Sequence, residues 1–159
     1  MLRPTEVYVG LAGHAEPLSL MYPRNDHEQM ALIFADGDRK LGLILRGEER
    51  ILYHTAICQN ENEWSGVLVS GIEIEIDPHS QVDLSGVRAP QGGLVRHGEF
   101  LSVQTTMLGS RSPPFAAIIP VISNLSSCYG TERACFGEWQ IVIGTGLEKR
   151  ILHTVDVRP

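Results

Sequence analysis

The chain has 159 residues, of which 43% are apolar and 20% charged, with a formal charge of −6. A chain this long buries roughly 70% of its unfolded surface, so one core forms without disulfide or metal staples, and the composition excludes a disordered polymer. The acidic balance argues against nucleic acid as a partner, and the longest apolar run, Phe115 to Ile122 with Pro120 inside it, is far too short to cross a membrane as a helix.

Apolar residues recur with period two along nearly the whole chain, the signature of half-buried strands. Strands are predicted over Glu6–Leu11, Met30–Ala35, Leu41–Leu45, Ile51–Ile57, Gly66–Asp77, Glu99–Met107, Phe115–Ile122, Glu138–Gly144 and Arg150–Val157. Turn-forming clusters separate them, among them ADGD at 35–38, RGEE at 46–49, DPHS at 77–80, RAPQGG at 88–93 and GTGLE at 144–148. Sixteen Gly and nine Pro leave little room for helix. The one helical candidate is Asn25–Ala31, with Asn25 or Asp26 as its cap, and the equal alternative is a loop entering the Met30–Ala35 strand. The pattern predicts an all-β fold, one domain over residues 1–159. Its architecture is an antiparallel β-sandwich or barrel of about eight to ten strands with at most one short helix.

Within Gly66–Asp77 the apolar parity changes at Ser70-Gly71, which predicts a bulge there. Beyond it Ile72, Ile74 and Ile76 line one face and Glu73, Glu75 and Asp77 the other. Three carboxylates on one face are candidates for acid–base or cation chemistry, against the plainer role of a charged face that keeps a sheet edge soluble. Two hairpins resemble each other, LGLILRGEERILYHT at 41–55 and WQIVIGTGLEKRILHT at 139–154. In a regular strand Arg50, Leu52 and His54 share a face, whereas His153 points away from Arg150 and Leu152 unless a bulge intervenes.

Six histidines are present, none at a spacing typical of metal ligands. His54 and His153 lie in apolar strands and are core, interface or active-site candidates. No strand-to-helix turn presents a serine or cysteine nucleophile. Cys58, Cys128 and Cys135 cannot all pair within one chain, and a Cys128–Cys135 disulfide is the one pairing between sequence neighbours. Arg46-Gly-Glu-Glu-Arg50 followed by Asp83-Leu-Ser85 is similar to the arginine and Asp-x-Ser elements of PilZ-type cyclic-dinucleotide barrels, in the same order. It departs from them in Arg88, at the place of the closing glycine, and in the two glutamates between the arginines. Arg46, Arg50, Asp83 and Ser85, together with Arg96, are therefore the candidate ligand-binding residues.

The expected function is a non-catalytic β-rich binding or scaffold module, acting in the cytoplasm through protein or small-ligand contacts. The alternative is an enzyme whose site is assembled in space from His54, His153, Glu73, Glu75 and Asp77 with an arginine; a minor alternative is a PilZ-like cyclic-dinucleotide barrel. No cofactor or metal is indicated by the spacings. The expected partners are a second copy or another protein, and a small anionic ligand.

Overall fold

The computed structural model describes residues 2–16, 18–24, 29–36, 39–46, 53–56, 64–83, 90–97, 100–107, 116–120 and 134–158. They form fourteen strands: β1 (Val7–Leu11), β2 (Ser19–Pro23), β3 (Met30–Asp36), β4 (Arg39–Arg46), β5 (Tyr53–Ala56), β6 (Ser65–Val69) and β7 (Ile72–Ile76), then β8 (Gln81–Val82), β9 (Leu94–His97), β10 (Phe100–Met107), β11 (Ala116–Pro120), β12 (Ala134–Phe136), β13 (Glu138–Ile143) and β14 (Arg150–Asp156). Helical structure among these residues is limited to single 3-10 turns, at Pro4–Glu6, Ala12–His14, Pro78–Ser80 and Gly146–Glu148. The fold is all-β, as the periodicity predicts. The expected helix over 25–31 is not formed at its end, because Met30 and Ala31 begin β3; residues 25–28 lie outside the described residues.

The strands make two sheets. The larger runs β1-β6-β2-β3-β4-β5-β10-β9-β12-β8, with β11 also on β10, and the smaller runs β14-β13-β7. Every pair is antiparallel except β5 with β10. Parallel neighbours need a long connection, and here it contains β6, β7, β8 and β9.

The strand count exceeds eight to ten because one predicted run divides between the sheets and four strands, β2, β8, β9 and β12, lie outside the predicted runs. The Gly66–Asp77 run breaks at Ser70-Gly71, leaving β6 in the larger sheet and β7 in the smaller. Gly71 has φ +69, a left-handed backbone that glycine adopts without penalty. The predicted bulge is thus a corner between sheets. A second corner at Gly137 separates β12 from β13. Strands that bend from one sheet into the other are the usual corners of such packings.

Between the sheets lies the main core. Leu20, Met30, Leu32, Phe34, Leu43 and Val69 of the larger sheet meet Ile72, Trp139, Ile141, Ile143 and Val155 of the smaller. A second cluster, Met21, Ala31, Ile33 and Leu68, covers the opposite face of the larger sheet beneath Ala12, Ala15 and Trp64. The Lys40 ammonium donates to the Ala15 carbonyl and holds that covering turn down. β2 is therefore apolar on both faces, with Ser19, Leu20 and Met21 all buried, and it lacks the alternation by which half-buried strands are recognised.

Trp139 is fully buried and its indole N–H donates to the Gly92 carbonyl at 2.8 Å. Gly92 is the third residue of a Pro90–Gly93 turn closed by Gly93 N–H to Pro90 O at 2.8 Å, and its φ of +85 is what a type II turn requires there. Trp139→Phe should cost about 1–3 kcal/mol, because the buried Gly92 carbonyl loses its donor. Trp139→Ala should cost about 3–5 kcal/mol. Urea denaturation with fluorescence and circular dichroism checks both values, and a neutral Trp139→Phe would show that the hydrogen bond is dispensable.

Candidate ligand-binding site

The smaller sheet has three strands and cannot cover the inner face of the larger one. Register shows where the cover ends. Val9 of β1 lies opposite Val67 of β6, and Val67 lies opposite Tyr22 of β2. The next row, Val7, Val69 and Leu20, packs into the main core. Val9 is 75% exposed and Val67 40%, while Tyr22 is half-buried. This gives an apolar row that starts at the sheet edge and runs inward to a tyrosine.

Arg46, at the end of β4, lies within electrostatic range of Tyr22 on β2 and of His153 on β14. Arg46 pairs in register with Met30, at a register shift in the β3–β4 ladder. It is exposed, yet it acts electrostatically on both Tyr22 and His153. His153 lies opposite Ile141, a fully buried core residue, and so faces inward at the margin of the smaller sheet. The ladder between β13 and β14 slips between Ile141 and Val142, with Leu152 as the extra residue. That bulge places Arg150, opposite Ile143, on the same inner face as His153. A regular strand would have put them on opposite faces.

Burial pushes the His153 imidazole below its ordinary pKa, and the Arg46 charge adds to the effect. Burial likewise pushes the Tyr22 hydroxyl up, opposed by Arg46. Both side chains are therefore neutral near pH 7, beside a permanent cation. Neutral imidazole and phenol each offer a donor and an acceptor. A surface of this kind can hold an anion against Arg46 and an apolar body along Tyr22, Val67 and Val9.

The other candidate residues fall elsewhere. Glu73 and Glu75 lie opposite Val142 and Gln140, on the face of the smaller sheet away from His153. Glu73 is exposed and Glu75 pairs with Lys149 at 2.5 Å. Asp77 caps the next turn, accepting from the His79 N–H at 2.9 Å. Sheet geometry thus separates His153 from these carboxylates. Among the described residues no group of three His, Cys, Asp or Glu stands close enough to hold a metal ion. His54 pairs with Leu43 in the β4–β5 ladder, matching His153 opposite Ile141 in the second hairpin. Arg50 and Ser85 lie outside the described residues. Arg46 ends β4 and Asp83 follows β8, with β5, β10, β9 and β12 between those strands in the sheet. Arg96 is exposed on β9. Cys135 is a buried free thiol, raised in pKa by burial; Cys128 lies outside the described residues.

Asp83 instead lines a depression of about 300 Å3 with His79, Ser80, Gln81, Val82 and Arg158. Two of its polar side chains, Ser80 and Arg158, are committed to neighbours outside the lining. The Ser80 hydroxyl donates to the Asp77 and Glu138 carbonyls at 2.7 and 3.2 Å and accepts from the Glu138 N–H at 3.0 Å. The Arg158 guanidinium forks onto Asp156 at 2.9 and 2.6 Å and reaches Glu138 at 2.8 Å. Hydrogen bonds from Arg158 hold Asp156 down at about 2. This hollow marks the seam between sheets. Sequence reading passed over Tyr22 and Arg158: Tyr22 sits in the unrecognised β2, and the Asp156-x-Arg158 spacing was the available signal for the fork.

A two-sheet, all-β protein with a cationic and apolar margin is the class that fold and surface define. The chain belongs to the family described as uncharacterised protein y4lG, whose model matches residues 9–159. It is 34% identical over 152 residues to the uncharacterized protein y4lG of Sinorhizobium fredii, covering 96% of this chain and 91% of that protein. No solved structure matches the chain at a significant level.

The lowered His153 pKa gives a signed pH dependence. The unfolded chain binds this proton more readily, so the stability gained by keeping His153 neutral is complete above the ordinary value of ~6.5 and declines as pH falls through it. Wild-type stability should fall more steeply between pH ~7 and ~5 than that of His153→Gln. Equal slopes in denaturant melts across that range would show that His153 is not the responsible group.

Proposed function

We propose that the protein is a non-catalytic, cytoplasmic binding module for a small organic anion with an apolar body. The reading is carried by one observation: the Arg46 charge reaches both half-buried Tyr22 and half-buried His153 where the smaller sheet stops covering the Val9 and Val67 row. Arginine is the side chain suited to planar anions. Tyr22, Val67 and Val9 supply apolar area leading away from it. The free buried thiol of Cys135 fits a reducing compartment. Among the described residues no helix is long and apolar enough to cross a membrane.

The reading is tested with anilinonaphthalene sulfonate, an aromatic body carrying one anion, followed by fluorescence and calorimetry on the folded protein. Arg46→Gln should weaken binding about tenfold, a loss of about 1.4 kcal/mol. Tyr22→Ala should weaken it by a similar factor, while Arg96→Gln, on β9, should leave it unchanged. Equal affinity across all three variants and the wild type would remove this site from consideration.

A further inference from the structure

The larger sheet ends on one side in β1, and among the described residues no strand pairs with its outer edge. An open edge offers a row of N–H and C=O groups to any extended chain. Edges that stay single are guarded by lysine, proline or a bulge. β1 reads Val-Tyr-Val-Gly-Leu, carries none of these residues, and pairs with β6 in unbroken register. Two of its side chains, Tyr8 and Val9, are large, apolar and exposed.

We propose that β1 pairs antiparallel with β1 of a second copy, about a two-fold axis through Val9. An axis perpendicular to the sheet keeps each face continuous, so opposed residues must share a face and their numbers must sum to an even value. Centring on Val9 pairs all five residues of the strand; centring on Tyr8 or Gly10 leaves residues at one end unpaired. In the Val9 register Val9 meets Val9, Tyr8 meets Gly10, and Val7 meets Leu11.

The partners match in size. A side chain at Gly10 would start 3.3 Å from the Leu68 Cδ1 and 3.6 Å from the Tyr8 ring of its own strand, so only a glycine leaves room for an aromatic ring on this face. Across the axis each Tyr8 covers the other copy's Gly10, the arrangement by which an aromatic residue shields a strand glycine. No charge in the strand meets a like charge, and Glu6, just outside it, falls opposite Ala12. The Val9, Val67 and Tyr22 row then meets its symmetry mate, forming one apolar band with an Arg46 at each end. The pairing shares Val9 with the ligand surface proposed above but rests on the strand edge and not on Arg46.

Sedimentation velocity over a concentration series, with Val9→Lys, Val9→Cys and Val7→Cys variants, tests this. The wild type should pass from monomer to dimer as concentration rises. Val9→Lys sets two ammonium groups face to face and should raise the dissociation constant at least ~10-fold, while at concentrations where the wild type is still monomeric its melting temperature should be unchanged, because the side chain is exposed there. Under mild oxidation Val9→Cys should form a disulfide-linked dimer above the wild-type background, since opposed residues stand ~4.5–5.5 Å apart. Val7→Cys should not, because each Val7 faces Leu11. A wild type that stays monomeric throughout, a dimer indifferent to Val9→Lys, or cross-linking no greater at residue 9 than at residue 7 would each overturn the proposal.

Discussion

The hydrogen bond from Trp139 to the Gly92 carbonyl joins the two sheets through the middle of the core. Trp139 belongs to the smaller sheet and Gly92 to a turn of the larger one, just ahead of β9. An indole buried to zero exposure must find an acceptor for its N–H. The acceptor is available because the Pro90–Gly93 turn bonds back to β10, through Gly92 N–H to Gln104 O at 2.7 Å and Gln104 N–H to Gly93 O at 2.9 Å. The position of the smaller sheet therefore depends on the conformation of one glycine. Sliding β13 by a residue would strand both the indole and the carbonyl in an apolar interior, a cost that apolar packing alone does not impose.

Once the smaller sheet is held there, the surface follows from unequal widths. Three strands lie over part of a much wider sheet, and the inner face continues past them under β1, β6 and β2. Apolar side chains at Val9 and Val67 are the continuation of a core pattern into water. Solvent-exposed rows of this kind are costly unless something covers them. Arg46 and His153 then mark the line where interior becomes margin. At the seam, the Arg158 guanidinium is held by Asp156 and Glu138.

The all-β architecture was legible because most strands are half-buried and alternate, as the β7 residues Ile72, Ile74 and Ile76 do against Glu73 and Glu75. Where burial is two-sided the signal vanished, as in Ser19, Leu20 and Met21, and that strand carries Tyr22. The parity change at Ser70-Gly71 was visible, but one sequence feature serves both a bulge and a sheet corner, and only the partner strands distinguish them. His153 and Arg46 were singled out as residue types. Their proximity was not legible, since it arises from two hairpins in different sheets packing face to face. The carboxylates of β7 were read correctly as one face, and it is the face turned away from His153.

The bulge at Leu152 decides which of these residues can act together. It lets Arg150 and His153 both face inward, although they are an odd number of residues apart. Arg150 is then available to pair with Glu6, ahead of β1, and His153 lies within electrostatic range of Arg46 on β4. The outer strand of the smaller sheet is tied to the larger sheet at one end by an ion pair and left at the other beside an unmatched change of sheet cover. Apolar contacts from Val155, Ile141 and Ile143 hold the stretch between. A strand without the extra residue would turn one of the two polar groups to solvent, keeping the core but losing either the anchor or the imidazole at the margin. The site thus rests on a single inserted residue more than on any catalytic or metal-binding pattern, which is why spacing rules applied to this chain return so little.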